Sequence, residues 1–247
     1  MRYAIYAAPS PDTPLHRTGS ALLGYDAVRG IPVPFPDDPV FQSDRWRTLT
    51  EAARRYGFHA TLKAPFEPAA GVTEATVITE VERLANRLAA TTAGPLQIST
   101  RRGFIALRPA PDADDRLRHL AQTCVEALDH LRAPLSAADR ARRLAAPLTA
   151  RQIAQLDRWG YPYVGQDFEF HMTLSDTVPT PERDDLAARL HDRCPELTAE
   201  LPIDALVVFR QPMRSAPFTV AARITLSTMR ALEDCVDLDK KTTGRTK

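Results

Sequence analysis

Apolar residues recur along this chain in two rhythms, one of two residues and one of three to four, and the changes between them mark out the elements. Residues 2–7, short, aromatic and apolar and ending before Pro9, predict a first strand. Pro32, Pro34, Pro36 and Pro39 predict an extended loop over 31–39 that cannot join a central sheet. A short helix is expected over 43–54, and 55–64 alternates strictly, as a half-buried strand does. Over 73–90, Val77, Val81, Leu84, Ala85 and Leu88 fall at helical spacing, closed by Gly94-Pro95. Strands over 96–99 and 104–107 flank an Arg101-Arg102-Gly103 turn. The clearest helical stripe, Leu117, Leu120, Ala121, Cys124, Val125, Leu128 and Leu131, spans about 112–132. Thr149-x-x-Gln152 reads as a capping box for a helix reaching Trp159. A second alternating strand covers 167–175, Thr180-Pro181 starts a helix as cap and first residue, and strands over 203–209 and 218–226 complete the pattern. The mixture lacks the regular βαβα beat of a doubly wound sheet, so the expected class is α+β.

Composition narrows the field. The 247 residues carry 32 Lys or Arg against 31 Asp or Glu, a formal net charge of +1, with 44% hydrophobic residues. That is a globular composition with enough core for an unaided fold. The near balance of charge argues against a protein that coats a long nucleic acid, and leaves a small anionic ligand open. Cys124, Cys194 and Cys235 are far apart and odd in number, and so read as free thiols in a reducing, cytoplasmic setting. No apolar run suggests a signal or a membrane span. Neither a Gly-x-Gly-x-x-Gly nor a Walker A pattern occurs, so no dinucleotide or P-loop nucleotide site is indicated. Residues 1–227 are expected to form a single bilobed domain, with 228–247 a disordered tail.

One internal similarity outweighs these generalities. Phe58-His59-Ala60-Thr61-Leu62 and Phe170-His171-Met172-Thr173-Leu174 share Phe-His-x-Thr-Leu nearly half the chain apart, which suggests a duplication that built two related lobes. Strand alternation sorts each copy into an apolar face and a polar one. The polar faces carry Arg55, Gly57, His59, Thr61 and Lys63 in the first copy, and Asp167, Glu169, His171, Thr173 and Ser175 in the second. Each His therefore shares its face with the Thr two residues on. A single such His is most simply a solvated residue on an open sheet face. Two copies with the same parity, the same Thr partner and an apolar reverse favour chemistry.

If the polar faces oppose, two imidazoles and two hydroxyls surround a central point, and a phosphate diester fits that set. Ring opening of a cyclic phosphate needs a base to take a proton from water and an acid to protonate the departing alkoxide, which two histidines can supply near neutral pH. The Thr hydroxyls can hold the non-bridging oxygens. The scheme calls for no metal and no cofactor. His16, His119, His130 and His191 form no short-spaced ligand cluster.

The duplicated His-x-Thr-Leu motif, each copy preceded by Phe, resembles the 2H phosphoesterase superfamily, which includes the RNA ligase/cyclic phosphodiesterase enzymes of bacteria. Residues 55–66, Trp159-Gly160-Tyr161-Pro162-Tyr163-Val164 and residues 168–174 further resemble a bacterial branch of phosphonate-metabolism proteins often encoded beside carbon–phosphorus lyase genes. The resemblance implies a bilobed α+β fold with an antiparallel sheet in each lobe, helices outside and the active cleft between. It also implies metal-independent chemistry on cyclic phosphates carried by His59, Thr61, His171 and Thr173, with a ribose cyclic phosphate the natural candidate.

Same-face neighbours on a strand lie about 6.7 Å apart, which puts Arg55 and Lys63 near His59, and Asp167 and Glu169 near His171. The expected consequence is a neutral His59 acting as base and a protonated His171 acting as acid. Arg55, Lys63 and Tyr163, the last beside Pro162 in a loop before the second motif, are the candidate substrate-binding residues. The Arg54-Arg55, Arg101-Arg102 and Arg140 to Arg143 runs could hold a second phosphate or be solvated faces. Three functions compete: hydrolysis of a small cyclic phosphodiester, RNA end processing or 2′–5′ joining in the same cleft, and a binding module for a phosphorylated metabolite. Weak basicity counts against RNA, and the sequence names no protein partner.

Overall fold

The computed structural model describes residues 1–227, so the expected disordered tail, and Cys235 with it, lies outside the described residues. In chain order the elements are β1 (Arg2–Ala7), α1 (Pro14–Leu23), β2 (Tyr25–Asp26), β3 (Ile31–Pro32), α2 (Asp44–Leu49), α3 (Glu51–Arg54) and β4 (Ala60–Phe66). There follow α4 (Glu74–Ala85), β5 (Thr91–Ser99), β6 (Phe104–Pro109), α5 (Asp114–Ala127), α6 (Ala137–Leu144) and α7 (Ala150–Trp159). The last are β7 (Met172–Thr177), α8 (Thr180–Arg193), β8 (Glu200–Ile203), β9 (Ala205–Gln211) and β10 (Thr219–Thr225). The class is α+β.

Eight strands form one antiparallel sheet in the order β10-β9-β1-β4-β7-β6-β5-β8. The order is symmetric about its middle. β4 and β7, the two motif strands, lie side by side at the centre, flanked by β1 and β6, then β9 and β5, then β10 and β8. The two expected lobe sheets are therefore halves of one sheet, joined through the Ala60–Met172 pair. The Pro-rich stretch contributes only the two-residue ribbon of β2 and β3, outside the main sheet.

Alternation along β1 decides where the core sits. Tyr3, Ile5 and Ala7 join the main cluster with Val77 and Val81 of α4 and Leu117 and Leu120 of α5. Ala4 and Tyr6 turn the other way, into a smaller aromatic cluster with Val207, Phe209 and Phe218. Helix boundaries follow local capping chemistry. Thr73 and Thr76 form a reciprocal capping box on α4, and Thr149 and Gln152 form one on α7, where the sequence placed it. α7 reaches Trp159 as expected.

Several boundaries differ from the sequence reading. The strands expected over 55–64 and 167–175 begin only at Ala60 and Met172. Arg55 caps the end of α3, Gly57 sits at a left-handed φ of +76°, and residues 165–167 form a 3₁₀ turn, so the alternation upstream of each His is not that of a strand. The 43–54 helix is divided at Thr50, and the 112–132 helix is regular only over α5, with 3₁₀ turns at either end. The cap of α8 is Pro179 rather than Thr180. α1, α6 and β8 had no forecast. α6 buries none of its residues and so shows no apolar stripe to read.

Gly57 is the backbone position on which the first motif turns. A Cβ there would stand 2.6 Å from the Ala27 Cβ, besides adopting a φ that costs an L-residue about 1–2 kcal/mol. Gly57→Ala is accordingly expected to lose at least about 1–2 kcal/mol in urea denaturation; wild-type stability in that variant would contradict the geometry.

Candidate active site

The centre of the sheet presents the two histidines in the same way. His59 Nδ1 donates to the Gly57 carbonyl at 2.8 Å, and His171 Nδ1 donates to the Glu169 carbonyl at 2.8 Å. In each case the acceptor is the main chain two residues upstream. A neutral ring held this way carries its proton on Nδ1 and leaves Nε2 as an acceptor. Continuing the Ala60–Met172 register sets His59 opposite Thr173 and Thr61 opposite His171, so the two His-Thr pairs interlock across the β4–β7 junction. Thr61 Oγ1 lies 3.4 Å from His59 Nε2, the long end of hydrogen-bond reach.

His59 stacks on Tyr6, centroid to centroid 3.7 Å with 22° between planes, and has Phe209 and Tyr56 at 5.9 and 6.2 Å. Burial pushes its imidazole down to about 4, against the Gly57 hydrogen bond and with repulsion from His171 adding to the fall. His171 is lowered as well, by burial first and then by Arg108 and Arg102, while the Glu169 carbonyl and carboxylate oppose. The expected protonated resting state of His171 is therefore corrected: both rings rest neutral at pH 7. Burial is the first cause, and the two carboxylates beside the ring are both engaged by other groups. Glu169 is held by Arg102 at 2.9 Å and Arg108 at 2.8 Å. Asp167 is bound to Arg151 and Gln152.

A cavity of about 240 Å³ opens at this centre. Thr61, Lys63 and His171 line it from the sheet, Arg102 and Arg132 from the flanks, and Trp159, Tyr161 and Tyr163 from the end of α7 and the loop beyond. His59 adjoins the cavity through the Thr61 hydroxyl, and Thr173 lies across the junction from His59 without lining it.

The three substrate-binding candidates divide. Tyr163 is in the cavity wall. Lys63 lines it too but is 3% exposed, because β-bulges in the β1–β4 pairing break the alternation around it. Its ammonium goes to the Val125 carbonyl at 3.1 Å and to Asp129 at 3.4 Å, and burial lowers it to about 8. Arg55 is exposed at the end of α3 and lines a neighbouring cavity with Tyr56 and Tyr163, not the face of His59. Like charge on Arg55 and Lys63 is thus not what depresses His59; desolvation is.

Tyr6 and the Glu169 clasp on two arginines were not singled out from sequence. The alternation of the first strand does place Tyr6 opposite Ile5, but nothing local says that its ring will meet His59. His16, read as a bystander, has Ser20 Oγ at 3.5 Å and Asp26 at 3.6 Å. Both face the same nitrogen, Nε2, so no proton relay runs through the ring. Among the described residues no three His, Cys, Asp or Glu side chains gather as a metal set, and no helix is long and apolar enough to cross a membrane.

A family model described as "Protein of unknown function (DUF1045)" matches residues 61–219, a span that takes in Thr61 and the whole of the second motif. The chain belongs to the DUF1045 family. Two curated relatives are similar to this family member over 92% of its length, both named ribose 1,5-bisphosphate phosphokinase PhnN. One, from Janthinobacterium sp. (strain Marseille), is 36% identical over 231 residues. The other, from Laribacter hongkongensis (strain HLHK9), is 36% identical over 229 residues. The chain spans about half the length of these relatives, 51% and 52%. Among solved structures, a crystal structure of E. coli LigT complexed with 3′-AMP superposes with a TM-score of 0.39 at 12% identity, covering 92% of this chain and 98% of that one.

The neutral resting state of His59 has a measurable signature. Its folded pKa, about 4, lies below the unfolded reference of 6.5, so the unfolded chain binds the extra proton between those values. Stability contributed by His59 is complete above about pH 6.5 and is lost as pH falls toward about 4. Urea denaturation from pH 7 to 4.5 should show a shallower fall in His59→Gln than in the wild type; equal slopes would contradict a desolvated, neutral resting ring.

Proposed function

We propose that this chain opens a cyclic phosphodiester on a small sugar by metal-independent general acid and base catalysis from His59 and His171. The observation that carries the reading is the matching presentation of the two imidazoles, each with Nδ1 tied to the main-chain carbonyl two residues upstream and Nε2 as the acceptor, at the starts of adjacent central strands. The resemblance of the duplicated motif to 2H phosphoesterases points the same way.

In the proposed reaction a water oxygen forms a bond to phosphorus as one ring P–O bond breaks. The water proton goes to the Nε2 of the base, and the Nε2 proton of the acid goes to the departing alkoxide, leaving a phosphomonoester. Two neutral rings cannot start that cycle, so one must first take up a proton. A bound phosphate anion raises a neighbouring imidazole pKa. The larger depression is at His59, which leaves His171 as the ring that charges when substrate enters, and His59 as the base. Thr61 in the cavity wall, with Thr173 from across the junction, would hold the non-bridging oxygens, and Tyr163 with Tyr161 and Trp159 would wall the sugar.

The relatives' printed name supports a ribose phosphate as the scaffold. Phosphoryl transfer is not carried over: this chain covers about half their length and contains no Gly-x-x-x-x-Gly-Lys-Ser/Thr loop. A cavity of about 240 Å³ with aromatic walls suits a sugar phosphate better than an RNA end. The proposed setting is the reducing cytoplasm, in keeping with the buried free thiols of Cys124 and Cys194.

Phosphorus NMR of ribose cyclic phosphates and 2′,3′-cyclic nucleotides with EDTA-treated protein tests the reading. Turnover by the wild type is expected to fall by about 10² to 10⁴ in His59→Ala and in His171→Ala, with folding checked by circular dichroism. Equal turnover in all three proteins, or binding of the ring without product, would overturn it.

A further inference from the structure

Beside the histidine cavity lies a second cavity of about 420 Å³, whose lining includes five guanidinium groups: Arg2, Arg55, Arg142, Arg143 and Arg214. No carboxylate lines it. Elsewhere around the site, arginines are matched by acids: Arg102 and Arg108 by Glu169, and Arg132 by Asp129. Here the balance is different. Arg214 is held from outside the lining by Glu67 and Asp139, and Arg142 by the same Asp139. Arg2 turns to the Gln211 amide oxygen. Arg55 and Arg143 have no carboxylate within ion-pair distance among the described residues, and Arg143 instead lies 4.9 Å over the Tyr161 ring. Burial pulls the Arg2 guanidinium below its usual range, with Arg214 and Arg142 acting in the same direction and Tyr56 and Tyr6 against it.

The two cavities are neighbours. Tyr163 lines both. Tyr56, in the wall of the second, has its ring 6.2 Å from His59, and Tyr161, under Arg143, lines the first. Between them the Tyr6 hydroxyl is fully buried with no hydrogen-bond partner, close enough to Tyr56, Tyr161 and Arg2 for each to bear on its ionisation. Uncompensated guanidinium charge in a concave site beside a phosphate-chemistry centre is the arrangement that recognises a phosphomonoester, whose dianionic oxygens match the planar fork of Arg.

We propose that the arginine-lined cavity holds a second phosphate of the substrate, so that the molecule turned over is a small sugar carrying a cyclic phosphodiester at one end and a phosphomonoester at the other. This rests on the phosphodiesterase reading for the ring and adds to it the group that fixes which ring is chosen. The monoester anchors the sugar through Arg143 and Arg55, and the diester reaches the histidines past Tyr163.

Two measurements separate this inference from the reading beneath it. Ribose cyclic phosphates with a free 5-hydroxyl are compared with the same rings carrying a 5-phosphate, in kcat/KM followed by phosphorus NMR. The wild type is expected to prefer the phosphorylated ring at least tenfold, largely through KM. Arg143→Ala and Arg55→Ala should bring the ratio toward one, and Arg143→Lys should recover part of it. A ratio of one in the wild type, or a ratio untouched in both Ala variants, overturns the second site while leaving ring opening intact. If no ring is opened, calorimetric titration with ribose 5-phosphate decides the matter independently of turnover. Weakening of tenfold or more in Arg143→Ala sustains the anion site without the phosphodiesterase reading, and equal affinity in wild type and variant removes it.

Discussion

The structure depends on the junction between β4 and β7. These strands are the inner edges of two four-stranded halves, and the pairing of Ala60 with Met172 brings them together. Everything at the site follows from that contact, because the His and the Thr that flank each paired residue are thereby carried to the same few ångströms of sheet. A duplicated motif on two separate sheets would need a rigid interface to keep its two copies together. Here the Ala60–Met172 pair makes one sheet of the two halves, and Tyr6, stacked on His59 from the neighbouring strand, braces one side of the junction.

Around the junction, desolvation is the dominant electrostatic influence. It takes both imidazoles to the neutral form and leaves Lys63 as a buried ammonium shared between Val125 and Asp129. The acids beside the second histidine are committed to arginines. Glu169 is the instructive one: its carbonyl orients His171 while its carboxylate clasps Arg102 and Arg108, so one residue fixes the ring and supplies the cavity rim with a matched ion set. Arg102 adopts a left-handed φ of +62°, a backbone conformation that non-glycine residues seldom take. In the adjoining cavity five arginines line the wall and no carboxylate does.

Much of this was legible in the chain itself, and the boundary of legibility has a physical cause. Period-two alternation through His59 to Leu62 and His171 to Leu174 found the motif strands, and the Thr149–Gln152 capping box found α7, because both signals are local. The same alternation misled upstream, where Gly57 and the 3₁₀ turn at 165–167 take the chain out of strand geometry and remove Arg55 and Asp167 from the histidine face. It misled again at Lys63, where β-bulges turn a residue of polar parity into the interior. The expectation of a protonated resting His171 failed for a different reason. It counted nearest charges along the strand, whereas burial and ion pairing to residues far away in sequence set the protonation of both rings. The Arg2, Arg55 and Arg214 convergence has no local signature at all, since it joins the first strand, the end of α3 and the loop before β10.

The main-chain carbonyls that anchor the two Nδ1 atoms have an evolutionary corollary. A carbonyl belongs to every amino acid, so the orientation of His171 survives whatever side chain occupies position 169, and drift there alters the arginine rim without turning the ring. Position 57 lacks that freedom, because its carbonyl reaches His59 only from a left-handed backbone with Ala27 pressed against it. The two halves of a symmetric site thus stand under unequal mutational constraint. A lineage can retune the His171 side by side-chain replacement, while the His59 side can change only by rebuilding its turn.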